Sequence, residues 1–116
     1  MMKETDLDEK TEAIDAAVEA ASDNKHEAIT KFMEAEFAVM DAFRKQDNLR
    51  KRGKRQGDPK YDEATNRIDE ALAARDRALD DLIAAEFAWR AAEKAWDAHH
   101  SALDKARGGG ATEKLQ

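Results

Sequence analysis

Every seventh residue from Tyr61 reads Tyr61, Ile68, Arg75, Leu82, Trp89, Trp96, Leu103. Three places later in each heptad stand Ala64, Ala71, Ala78, Ala85, Ala92, His99 and Ala106. The first half of the chain repeats the pattern with Leu7, Ile14, Ala21, Ala28, Ala35, Ala42 and Leu49, accompanied by Thr11, Val18, Lys25, Phe32, Val39 and Gln46. A mainly apolar stripe with a strict seven-residue repeat is a coiled-coil seam and implies left-handed supercoiling. Between Thr5 and Arg52 there is no Gly or Pro. Gly53 and Gly57 then release the chain, and Asp58-Pro59 reads as an N-cap followed by a proline at the first helical position. Gly108-Gly109-Gly110 stops the second run. The pattern predicts a helix over Thr5–Arg52, a turn at 53–58, a helix over 59–107 and a flexible tail at 108–116. Thr5 with Asp8 resembles a capping box in which Asp replaces the usual Glu. Asn24 with Glu27 could start a new helix after Ser22-Asp23, but the apolar phase continues across this point and favours one unbroken helix.

Facing positions in an antiparallel hairpin have residue numbers with a constant sum. The alanine lines pair at 113: Ala42 with Ala71, Ala35 with Ala78, Ala28 with Ala85 and Ala21 with Ala92. That register centres the turn between Gln56 and Gly57, where the Gly and Pro signals also place it. Alanine opposite alanine lets two backbones come toward or below the usual ~8–10 Å between helix axes. The companion lines pair Phe32 with Leu82, Val18 with Trp96, Lys25 with Trp89 and Val39 with Arg75. Lys25 is thereby set for a cation–π contact on Trp89, Arg75 for a pair with Glu36, and His99 to fill the end of the seam opposite Ile14. The fold class that follows is all-α: a long antiparallel two-helix hairpin, an alanine-rich coiled coil forming a single domain over 1–107.

A seam of alanines buries little area, so a lone hairpin is expected to be marginal. Ile29, Met33, Met40 and Phe43 on the first helix, with Leu72, Leu79, Ile83 and Phe87 on the second, lie beside the seam instead. By the same register, residues 29–43 are level with 70–84, which makes one apolar face. Such faces mark partner sites. The simplest partner is a second copy, giving a homodimeric four-helix bundle; a different protein is the other candidate.

Charged residues make up 40% of the chain and aromatics 6%, which suits long helices better than a thick core. Net charge is −6, unevenly spread. From Arg44 to Lys60 eight cations meet two anions, so this segment carries +6 and the remainder −12. Arg50, Lys51 and Arg52 complement the C-terminal end of a helix dipole. Lys54, Arg55 and Lys60 have no such local reason, and the basic tip they complete is the alternative functional site, a salt-sensitive contact with nucleic acid or an acidic protein. No zinc-finger, recognition-helix or RNA-sheet signature accompanies it.

The chain has no cysteine, which removes disulfides and thiolate metal sites. The N-terminal stretch is acidic without an apolar run, and no 18-residue apolar stretch occurs, so the expectation is a cytoplasmic protein with no membrane contact. Asp23-x-x-His26 and Asp97-x-x-His100 each place carboxylate and imidazole one turn apart, but the register keeps the two pairs well separated, so no metal or other cofactor is expected. No catalytic motif is present, and a two-helix rod offers no deep pocket; the function expected is non-enzymatic interaction or regulation. Trp89 and Trp96 are read as core. The turn lacks the Trp-x-Gly of small secreted WxG-type hairpins, and no motif identifies a family.

Overall fold

The structure, a computed structural model, describes residues 4–108, with side chains from Asp6 onward. The Thr5 side chain, on which the capping box rests, and the tail beyond Gly108 lie outside what is described. Two α-helices pack against each other: α1 is Glu4–Lys51 and α2 is Pro59–Arg107. α1 continues through Ser22-Asp23-Asn24 without interruption. The absence of Gly and Pro from both interiors is the simplest physical reason for their length, since either residue weakens a helix from within.

The turn is closed by an αL glycine motif. Gly53 has φ of 87°, a conformation costly for any residue with a Cβ. Its N–H donates to the Arg50 carbonyl, and the Lys54 N–H donates to the Leu49 carbonyl, both at 3.0 Å. This is the Schellman arrangement, which satisfies carbonyls left open at a helix end. Gly57, with φ of 98°, redirects the chain into α2. Asp58 caps that helix, its carboxylate accepting from the Lys60 N–H at 2.9 Å.

Helical pairing divides into two compact units. One contains α1 up to Lys25 with α2 from Ala85; the other is His26–Ala84, including the turn. In the first, Thr11 meets His99, Asp15 meets Trp96 and His100, Lys25 meets Glu86 and Trp89, and Asp8 meets Arg107. The residue numbers of these pairs add to between 110 and 115, which brackets the expected register. In the second, Gln46 donates to Thr65 at 2.9 Å across the seam, and Ala42 and Ala71 line one open groove.

Burial follows the heptads. Ala28, Val39, Ala64, Ile68, Ala85 and Leu103 form the buried apolar core, and each is a seam position. Most remaining seam positions are half-buried between exposed neighbours. Three expectations need correction. Trp96 is 38% exposed rather than core: its indole N–H needs a polar partner, and reaching Asp15 draws the ring to the seam's edge. Ala106 is exposed as well. Arg75 is half-buried and forms no ion pair with the exposed Glu36 among the described residues. Its long stem can follow the seam without a partner, and holding two side chains together at a wet surface gains little.

Ala85 is the most buried core residue, at 3% exposure. Ala85→Leu therefore forces extra methyl groups between close backbones and is expected to destabilise the fold by about 1–3 kcal/mol. The exposed Ala88→Leu should stay within about 0.5 kcal/mol of the parent. Urea unfolding midpoints of the two variants check both values.

Candidate functional site

The basic tip is largely organised by its own aspartates. Asp41 holds Arg44 at 2.6 Å and Lys45 at 3.0 Å. Asp47 holds Arg50 at 2.5 Å and Lys51 at 3.2 Å. These partners lie three and four residues apart, the spacing that meets on one side of a helix. Hydrogen bonds from Arg44 and from Arg50, each joined by the neighbouring lysine, hold the Asp41 and Asp47 carboxyls below their usual range.

The two loop cations without a sequence-level explanation have structural roles. The Arg55 guanidinium donates to the Arg50 carbonyl at 2.9 Å and to its neighbour's carbonyl, that of Lys54, at 2.7 Å. It thus serves the carbonyl-rich end of α1, where a cation is favoured. Lys54 pairs with the capping carboxylate of Asp58 at 3.3 Å. Asp58 also lies below the ordinary carboxyl range, first through the Lys60 N–H and then, among other contacts, through Lys54. The Arg52 and Lys60 side chains remain exposed, with no polar partner among the described residues. The segment's +6 already counts Asp47 and Asp58, while Asp41, which holds Arg44 and Lys45, lies just outside it.

The apolar face has a simple geometric origin. Ile29, Met33, Met40 and Phe43 each follow a seam residue of α1, and Leu72, Leu79 and Ile83 each follow a seam residue of α2. One residue turns the helix by about 100°. The helices run in opposite directions, so equal turns bring both rows to the same flank of the His26–Ala84 unit. Met33, Met40, Phe43, Leu79 and Ile83 are exposed there, Met40 to 65%, while Ile29 and Leu72 are half-buried. The opposite flank is built from residues preceding the seam. It includes Asp41, Lys45, Arg67 and Glu70, which line an open groove beside Ala42 and Ala71. One flank thus holds the large apolar side chains, with Glu36 among them, and the other is lined by ions.

Phe87 is 70% exposed and lies in the unit that contains α2 from Ala85. Phe37, 63% exposed, was not evident from a stripe drawn beside the seam. It lies far from the seam, and its signal was the four-residue step from Met33 and the three-residue step to Met40.

The first unit holds a polar clasp that periodicity did not foreshadow. The Asp15 carboxylate accepts from Trp96 Nε1 at 2.7 Å and lies 3.3 Å from His100 Nε2. The His100 and Trp96 rings are 4.1 Å apart between centroids. His99, 9% exposed, meets Thr11, with Nε2 2.7 Å from the hydroxyl oxygen. That hydroxyl gives its single proton to the Leu7 carbonyl at 2.9 Å. The oxygen must then accept from His99, which places a proton on Nε2. Lys25 lies 3.8 Å over the Trp89 ring, as expected, and also pairs with Glu86 at 2.8 Å. Hydrogen bonds from Lys25 and then Arg90 hold the Glu86 carboxyl below its ordinary value. Among the described residues, no three His, Asp or Glu side chains converge as metal ligands. Nor is any helix there long and apolar enough to cross a membrane.

The Asp58 geometry predicts a pH-dependent cap. Its folded-state carboxyl is depressed, so the charged form's contribution is complete above the unfolded value of about 3.9 and is lost as pH falls through the folded value. Asparagine caps almost as well as aspartate. Asp58→Asn should therefore be less stable than the parent at pH 7, and the difference should shrink toward zero at strongly acidic pH. Thermal unfolding of both proteins across this range measures it; a gap that stays constant would contradict the assignment.

Compared with protein-family models, curated proteins and solved structures, the chain matches none of them.

Proposed function

We propose that this is a non-enzymatic interaction protein that pairs with a second copy of itself through the apolar flank of residues 26–84, forming a four-helix bundle that presents helix faces to a protein partner. The supporting observation is the exposure of Met33, Met40, Phe43, Leu79 and Ile83 on one flank, with Phe37 beside them. The thin core strengthens the reading. Among the described residues, six apolar ones are buried, three of them alanines, and no large side chain is fully buried. At roughly 100 Å² per exposed large side chain, about half of what an aromatic can bury, six of them offer roughly 600 Å² per copy. A standard interface uses about 800 Å² per partner, so the flank and its surrounding rim approach the required size. In this reading the setting is the cytoplasm, in keeping with helices too charged to enter a bilayer.

Contact with nucleic acid through the tip is the second reading, supported by the unpartnered side chains of Arg52 and Lys60 in a segment of net +6. Lys54 and Arg55 hold the turn together, so Arg52→Gln with Lys60→Gln is the cleaner probe. On this reading, binding of a random duplex at about 50 mM salt should weaken steeply with added salt and fall further in the double variant. No gel shift of the parent at low salt ends this reading.

For the principal proposal, sedimentation equilibrium at micromolar concentration should give twice the 13.0 kDa chain mass. Met40→Ser with Phe43→Ser should weaken association by at least about tenfold, equivalent to ~1.4 kcal/mol, without loss of helix content. A parent protein seen only at 13.0 kDa contradicts self-association.

A further inference from the structure

We infer that the two copies pack antiparallel, with their turns at opposite ends of the bundle. This rests on the self-association proposed above and adds its orientation. Two identical flanks can join by a two-fold axis in two ways. If the axis runs along the helices, the two turns lie side by side. If it runs across them, each turn points away from the other. The apolar side chains fit both arrangements, because the same rows meet in either. The difference lies in where the charge falls.

The apolar row on α1 spans Ile29 to Phe43, with its middle near Glu36. The turn's centre, between Gln56 and Gly57, is about twenty residues further, or ~30 Å at 1.5 Å per residue. A parallel pair brings two segments of net +6 to within roughly one or two helix spacings of ~10 Å. That separation is about one to two Debye lengths of ~8 Å, so salt weakens the repulsion without abolishing it and the effect grows at low salt. An antiparallel pair centred on the same row holds the turns ~60 Å apart, far beyond screening range. Outside residues 44–60 the chain carries −12, so a tip kept away from the other tip meets a surface drawn from an acidic chain. Arg52 and Lys60, unpartnered within one copy, are the tip side chains free to use that field.

The absence of native cysteine gives a direct test, since any introduced thiol is unique. Full-length Gln56→Cys and Glu36→Cys would each carry a nitroxide, with inter-copy distances read by pulsed dipolar spectroscopy. Glu36 follows the seam residue Ala35 and lies on the flank near the proposed axis. The expected result is a distance of ~60 Å at position 56, twice the ~30 Å helix rise from axis to turn, and a short one, under ~25 Å or roughly two helix spacings, at position 36. Short distances at both positions overturn the antiparallel orientation while leaving the dimer intact. A sedimenting dimer with no short distance at position 36 moves the interface off this flank and overturns the inference together with its basis. A chain that stays at 13.0 kDa by sedimentation refutes self-association itself.

Discussion

The alanine-rich seam is the constraint on which the remaining architecture depends. Small side chains allow close approach of α1 and α2 and fix the register, because a slip by one position would bring larger or charged residues into the line. The same choice limits stability. Each alanine contributes little apolar area, so the fold depends on sparse larger inserts such as Val39, Ile68 and Leu103. Polar residues complete the seam where the alanine pattern lapses. Gln46 meets Thr65, and Thr11 meets His99. Both pairs are directional, so they specify alignment in a way apolar contact does not.

The asymmetry of the two flanks follows from the same seam. Between Ile29 and Ile83 the residues just after seam positions include seven large apolar ones, with Glu36, Asp69 and Asp76 among them, whereas those just before include Asp41, Lys45, Arg67 and Glu70. A hairpin with equal flanks would have no preferred side for association. Here the large apolar residues are concentrated on one side. The turn is a separate design, in which Gly53 supplies the backbone geometry and Lys54, Arg55 and Asp58 supply the polar closure. A cluster of cations in sequence is thus not a uniform surface in space, since some members serve backbone carbonyls and a cap.

Helix extents, the turn, the register and the buried positions were legible because they depend on period, Gly/Pro placement and a constant pairing sum. The Lys25–Trp89 contact was legible for the same reason. Trp96 was misplaced, because a heptad position says nothing of where an indole N–H finds an acceptor. Arg55 and Lys54 were opaque because their partners are the backbone carbonyls and capping carboxylate of a turn whose path is not written in periodicity. Phe37 escaped notice because attention to the seam's margin overlooks a residue far from it. For the functional surfaces, residue chemistry located the rows beside the seam, while the relative freedom of individual cations required their hydrogen bonds.

Both tryptophans, Trp89 and Trp96, belong to the unit that contains residues up to Lys25 and from Ala85, whereas the sole tyrosine, Tyr61, belongs to the other. One indole lies beneath an ammonium group and the other against an imidazole. Indole emission is therefore a natural reporter of one half of the hairpin, while backbone dichroism samples both. The ordering of these two signals during denaturation shows directly whether a slender seam without a thick core transmits cooperativity along its length.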